Sequence, residues 1–199
     1  IAKNIADPKG CSLDCFAYYH YRHDPMEERP FPPGWEIEET GQTDLHTLGY
    51  FYEERSGGLL TEALDLVPQK LEVSGLSEEY RRLGFRRERY VFSLKKNGLI
   101  RALVIANQSN VGMNLSDLTS AINIIAIEPE ALTREVLNRT LHHVAELYDF
   151  TEIPVLMYPN NCPEGLRVTS EKQYNLWILK MSFSDHYFRH LNRMLRFVK

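Results

Sequence analysis

Apolar residues make two adjoining runs strand-like, Arg87–Lys95 and Leu99–Gln108, on either side of Lys96-Asn97-Gly98. An Asn-Gly pair between two such runs predicts a β-hairpin. Ala121–Ile127 is apolar on both faces apart from Asn123, which predicts a strand in the middle of a sheet. Ile153–Tyr158 predicts a second buried strand. Between them, Thr133–Tyr148 carries apolar residues at helical spacing, with Leu137, Leu141, Val144 and Tyr148 forming the stripe to be buried. Trp35–Glu39 alternates as a first strand would. Thr43 is a candidate N-cap for a helix from Asp44 to Arg55, which Ser56-Gly57-Gly58 would end. Leu59–Leu66 and Ser77–Leu83 predict short helices, stopped by Pro68 and Gly84. Tyr174–Met181 suits helix or strand; strand is preferred, because Ser184 then caps a last helix through Leu195.

Before the first strand the pattern changes. Phe16, Tyr19 and His23 recur at spacings of three and four, which predicts a helix within residues 1–24 after the Pro8-Lys9-Gly10 turn. Residues 25–34 are rich in proline and end in Gly34, so they predict an irregular linker. The expected organisation is a helical arm over 1–24, a linker over 25–34 and a compact domain over 35–199. The expected fold class is α/β (α+β), with one mixed sheet flanked by helices.

Composition narrows the function classes. The chain has 199 residues, 43% of them hydrophobic, enough for a sizeable core. A net charge of −4 argues against general nucleic-acid binding. The basic residues that do cluster, Arg81-Arg82 and Arg86-Arg87-Glu88-Arg89, suit a solvated strand start or a site for an anion. No apolar run reaches the roughly 18 residues of a membrane span, and the first residues lack the apolar core of a signal peptide. Three cysteines fit free thiols in a reducing cytosol, so the expected location is cytoplasmic.

The order strand, helices, long hairpin, central strand, helix and strand resembles the GCN5-related N-acetyltransferase (GNAT) fold over about Trp35–Leu195, with its mixed, mostly antiparallel sheet. The resemblance implies an acyl-CoA cleft beside the central strand. It also implies an Arg/Gln-x-x-Gly-x-Gly/Ala loop for the pyrophosphate, at the place occupied here by Ile127–Glu135. That stretch reads Ile127-Glu128-Pro129-Glu130-Ala131-Leu132-Thr133-Arg134-Glu135, with no glycine and two carboxylates ahead of the helix. Backbone approach to a phosphate favours glycine, and the carboxylates oppose an anion. Standard acyl-CoA is therefore disfavoured as cofactor. The resemblance leaves an acyltransferase-like enzyme with another donor, such as a small molecule, an acyl-carrier protein or a charged tRNA. The alternative is a catalytically inactive GNAT-like domain that binds a ligand or a protein. A faint echo of Ser12–Tyr18 in Ser184–His190 raises a tandem arrangement with an upstream GNAT-like domain, and a homodimer is a further option.

Candidate residues follow from that placement. Ile127, Thr133 and Arg134 would face a cofactor through the helix start. Glu128 is the candidate general base and Tyr158 the candidate acid for a leaving thiolate. Asn107, Ser109, Asn114 and Ser116 form a polar stretch suited to turn chemistry or to an acceptor pocket. Cys11, Cys15, His20 and His23 are too closely spaced for four ligands to converge on zinc, so no metal is expected. His142-His143 reads as a pair on a helix surface, and Cys162 has no histidine partner to activate it.

Overall fold

The computed structural model describes residues 11–25, 30–63, 66, 78, 81–110, 120–160, 163–166, 168–179, 189 and 192–193. Its described strands are β1 (Cys11–Arg22), β2 (Trp35–Glu39), β3 (Arg87–Lys96), β4 (Leu99–Ser109), β5 (Ile122–Ala126), β6 (Glu152–Tyr158) and β7 (Val168–Leu179). The described residues include the helices α1 (Gln42–Ser56), α2 (Leu59–Ala63) and α3 (Arg134–Ala145) and a 3₁₀ turn at Pro129–Ala131. The seven strands form one sheet in the order β2-β3-β4-β5-β6-β1-β7. Only β5 and β6 run parallel, and the other neighbours are antiparallel. This is the mixed, mostly antiparallel α+β sheet flanked by helices that the pattern predicts.

The hairpin forms where expected. Asn97 and Gly98 both have positive φ, 52° and 75°, the conformation that matches a tight turn to the twist of its strands. β5 is covered on both faces. Ile122, Ile124 and Ala126 join Val104, Met157 and the α3 residues Val136, Leu137, Leu141 and Val144 on one side. Ile125 joins Leu103, Ile105, Tyr158 and residues of α1 and α2 on the other. Each fully buried aliphatic side chain contributes about 1.5–3 kcal/mol, so the double cover explains why β5 lacks polar alternation. Thr133 caps α3 by accepting the Val136 N–H at 3.5 Å. Helix α1 starts two residues earlier than expected, with Gly41 at its N-cap rather than Thr43, and ends at Gly57 in the left-handed conformation.

One expectation fails. The helical arm over 1–24 is instead, over Cys11–Arg22, a strand inside the sheet, hydrogen-bonded to β6 on one side and β7 on the other. Ala17, Tyr19 and Tyr21 are buried against the α3 face, whereas Phe16 and Tyr18 pack towards α1 and α2. A central strand needs apolar residues on both faces, so its aromatic run also satisfies a helical spacing. The β preference of Phe and Tyr was the better signal. Residues 11–22 thus belong to the same sheet as Trp35–Glu39 and are not a separate arm. Tyr174–Met181 resolves as strand up to Leu179. Of the expected helices over 77–83 and 184–195, residues 78, 81, 82, 189, 192 and 193 are described and helical and Leu83 is in a turn; the remainder, Ser184 included, lies outside the described residues.

Strand order dictates the course of residues 23–34. β1 and β2 lie five positions apart in the sheet, roughly 24 Å at about 4.8 Å per strand. The connection therefore has to run across the sheet. Its described part from 30 to 34 lies on the α3 side, where Phe31 packs against the core and Pro30, Pro32 and Pro33 face α3 across a cavity. Proline suits such an extended strap, because it favours an extended backbone and loses little entropy on ordering. No helix among the described residues is long and apolar enough to cross a membrane.

Gly98→Ala is expected to destabilise the fold by about 1 kcal/mol in chemical denaturation. The cost is conformational, since a Cβ there would meet nothing within 4 Å.

Candidate functional site

The residues singled out around β5 do not assemble into one centre. β4 and β5 are antiparallel, with Ala102 opposite Ala126 and Ala106 opposite Ile122. Asn107 and Ser109 therefore sit at the opposite end of β5 from Ile127 and Glu128, roughly 20 Å or more away at about 3.3 Å per residue. Asn107 and Ser109 are engaged in closing the sheet. Asn107 donates its N–H to the Ala121 carbonyl and accepts from the Tyr148 hydroxyl, both at 3.0 Å. Ser109 exchanges backbone bonds with the Ser120 hydroxyl at 3.1 and 3.0 Å. Asn114 and Ser116 lie outside the described residues.

Glu128 and Tyr158 flank β5 on opposite sides. Glu128 donates its backbone N–H to the Arg101 carbonyl on β4, and its half-exposed carboxylate is paired with the Arg101 guanidinium. That carboxylate is committed to the arginine and half exposed, which is not the setting of a general base. Tyr158 pairs across the other edge of β5, with Ile125 as its Cα partner. Its ring stacks on Phe16 at 5.0 Å, and burial pushes its phenol up to about 12. It stays protonated at neutral pH, as a proton donor must. Ile127 is half-buried and donates its N–H to Arg101 at 2.8 Å, and Thr133 is spent on capping. The parallel register of β5 and β6 continues through Ile125 and Tyr158.

Arg134 leads elsewhere. It lines a cavity of about 590 Å³ between α3 and the proline strap. One wall is the flank of α3, carrying Arg134, Glu135, Asn138, Arg139 and His142. The other is Tyr21 with Pro30, Phe31, Pro32 and Pro33, and Gly165 closes one end. Gly165 has a φ of 76°, and a Cβ there would come within 2.9 Å of an Arg134 guanidinium nitrogen. Glycine thus permits both the backbone turn and the close passage of the arginine. Arg139 lies over the Phe31 ring at 5.3 Å. Its Nε and one terminal nitrogen are buried without a hydrogen-bond partner among the described residues. A guanidinium keeps its charge at any physiological pH, so this burial has a cost unless an anion answers it.

Sequence reasoning missed Arg139, because nothing in a helix sequence distinguishes one flank arginine from another. The available signal was the strap, which had to cross some element of the domain. His142 also departs from expectation. It is 6% exposed rather than on the helix surface, with its ring 5.0 Å from that of His23 and 3.7 Å from Glu146. His143 is half-buried, edge-on to Phe92 at 6.2 Å. Extended backbone puts Cys11 roughly 40 Å from His23 at about 3.3 Å per residue, too far to share a metal. Among the described residues, no group of three or more His, Cys, Asp or Glu is placed to hold a metal ion. The Arg81–Arg89 cluster borders a smaller cavity of about 290 Å³. Its Arg86 is already tied to Glu88 at 2.7 Å and to Gln108 at 3.3 Å.

No family model matches the chain, and no curated protein matches it. Among solved structures, a functionally unknown conserved protein from Staphylococcus epidermidis ATCC 12228 is similar at a TM-score of 0.45 and 9% identity. The similarity covers 86% of this chain and 64% of that one, so the chain spans a little under two thirds of that protein's length.

Two measurements check the electrostatics of the cavity. Arg139→Met is expected to raise stability to denaturant by about 1 kcal/mol, because it removes a buried charge while keeping the bulk of the side chain. The pKa of His23 is lowered, first by burial and then by the neighbouring His142, with Glu146 and Asp24 opposing. The folded state then takes up a proton less readily than the unfolded chain. This contribution to stability is full above the ordinary value of 6.5 and declines as pH falls through it. His23→Gln is expected to flatten the loss of stability between about pH 7 and pH 5.

Proposed function

We propose that this chain is an anion-binding domain on a GNAT-like scaffold, with the ligand seated between α3 and the proline strap. The observation that carries the reading is Arg139, which lines the cavity and has two guanidinium nitrogens buried without a hydrogen-bond partner among the described residues, joined there by Arg134. The GNAT-like order places the phosphates of an acyl donor at the start of the helix after the central strand, and this cavity lies along the first turns of that helix. Side-chain guanidinium groups would then stand in for the backbone cradle that a glycine loop supplies. The cavity volume is within the usual range of small-molecule sites, about 300–1,000 Å³.

Binding without chemistry is the version the geometry favours, because Glu128 is committed to Arg101 and the polar end of β4 meets the chain just past the far end of α3, not its first turns. Acyl transfer is the second reading. It draws on the protonated Tyr158 phenol beside β5, which would donate to a leaving group while strand N–H groups polarise the carbonyl.

Calorimetric titration with CoA, acetyl-CoA and inorganic pyrophosphate tests the first reading. Saturable binding of at least one probe is expected, weakened tenfold or more in Arg139→Met, about 1.4 kcal/mol or more. Absence of binding by all three would overturn it. Acyl turnover that disappears in Tyr158→Phe would establish the second reading in its place.

A further inference from the structure

The two walls of the α3 cavity differ in kind, and the difference bears on what the cavity takes. Every charged lining group belongs to α3: Arg134, Glu135 and Arg139, with the buried His142 beside them. The facing wall is an aromatic and proline surface made by Tyr21 and the strap. A site for a bare inorganic anion would surround it with donors on several sides. Here donors come from one side only, and the opposite side offers apolar contact. The charges also set a limit. Two guanidinium groups against one carboxylate leave an excess of one positive charge, so the head group needs to neutralise little more than that.

The wall is held in place by its own chemistry. Phe31 is half-buried against the core beneath α3, and its ring carries the Arg139 guanidinium on one side. That contact restricts the positions the guanidinium takes and so the directions in which its N–H groups point. Phe31 thereby does two things: it aims Arg139, and it helps to form the surface against which the rest of a ligand lies. The flanking prolines keep that surface rigid at small entropic cost.

We infer that the cavity takes an amphiphilic monoanion or dianion, an organic phosphate or carboxylate whose head meets Arg139 and Arg134 and whose apolar or aromatic body packs on Phe31 and the strap prolines. This rests on the anion-binding reading of the cavity and goes further by naming the ligand class and the residue that selects it. Phe31 is the specificity-determining residue, and Arg139 the one that holds the charge.

The test compares four probes of known structure on the whole chain by calorimetry or two-dimensional NMR titration: inorganic phosphate, phenyl phosphate, acetate and benzoate. Phenyl phosphate is expected to bind at least tenfold more tightly than inorganic phosphate, or benzoate tenfold more tightly than acetate. The pair that shows the gain identifies the head group. Phe31→Ser is expected to abolish that gain, whatever its effect on the smaller anion of the pair, and Arg139→Met to weaken both members. Phe31→Leu, which keeps the wall apolar, retains most of the gain and guards against misreading a folding defect. If an aromatic probe and its inorganic or short counterpart bind equally, the amphiphile inference fails while the anion-binding reading stands. If none of the four binds, both fail.

Discussion

Two parallel strands lying side by side cannot be joined by a tight turn, and that constraint organises this molecule. β5 and β6 are the one parallel pair among the described strands, so the chain between them has to leave the sheet, cross it and return. Helix α3 is that crossing. Its apolar stripe, with Leu137 and Leu141 fully buried, settles onto β5, β6 and their neighbours. Its flank, with Arg134, Asn138 and Arg139, is left to face whatever passes over it. What passes over it is the connection from β1 to β2. The cavity is therefore the space between two crossings that the strand order makes necessary.

The sheet shows which parts of this were legible in the sequence. The Asn97-Gly98 hairpin, the doubly covered β5 and the capped α3 were readable because each rests on local chemistry: a positive-φ pair, an unbroken apolar run, a Thr133 that accepts the Val136 N–H. β1 was not, because being central gives a strand apolar residues on both faces. Phe16, Tyr18, Tyr19 and Tyr21 then fit two periods at once. Only its partners β6 and β7, both more than 120 residues away in sequence, decide between them. The domain boundary placed at Trp35 failed for the same reason.

The site was less legible than the fold. A glycine-free junction at Ile127–Arg134 argued against a backbone cradle for phosphate, and the structure gives that stretch other work. Ile127 and Glu128 hold on to Arg101, and Thr133 caps the helix. Arg134 alone of the proposed ligand contacts faces the cavity, by way of its side chain across Gly165 rather than its N–H. Arg139 became visible only once burial was known, since its character comes from the lack of a partner and not from a motif. His142 likewise changed from a surface residue to a buried one when His23, at the end of β1, was placed against it.

The proline strap is fixed at Arg22 in β1 and at Trp35 in β2, which lie at nearly opposite sides of the sheet. It is in effect a chord strung over a twisted surface. The clearance beneath a chord depends on the twist of what it spans: flattening the sheet separates the anchor points and draws the chord down, and tightening the twist lets it rise. The wall of the cavity is thus tied to the span from β2 to β1, six of the seven strands, and not to its immediate surroundings alone.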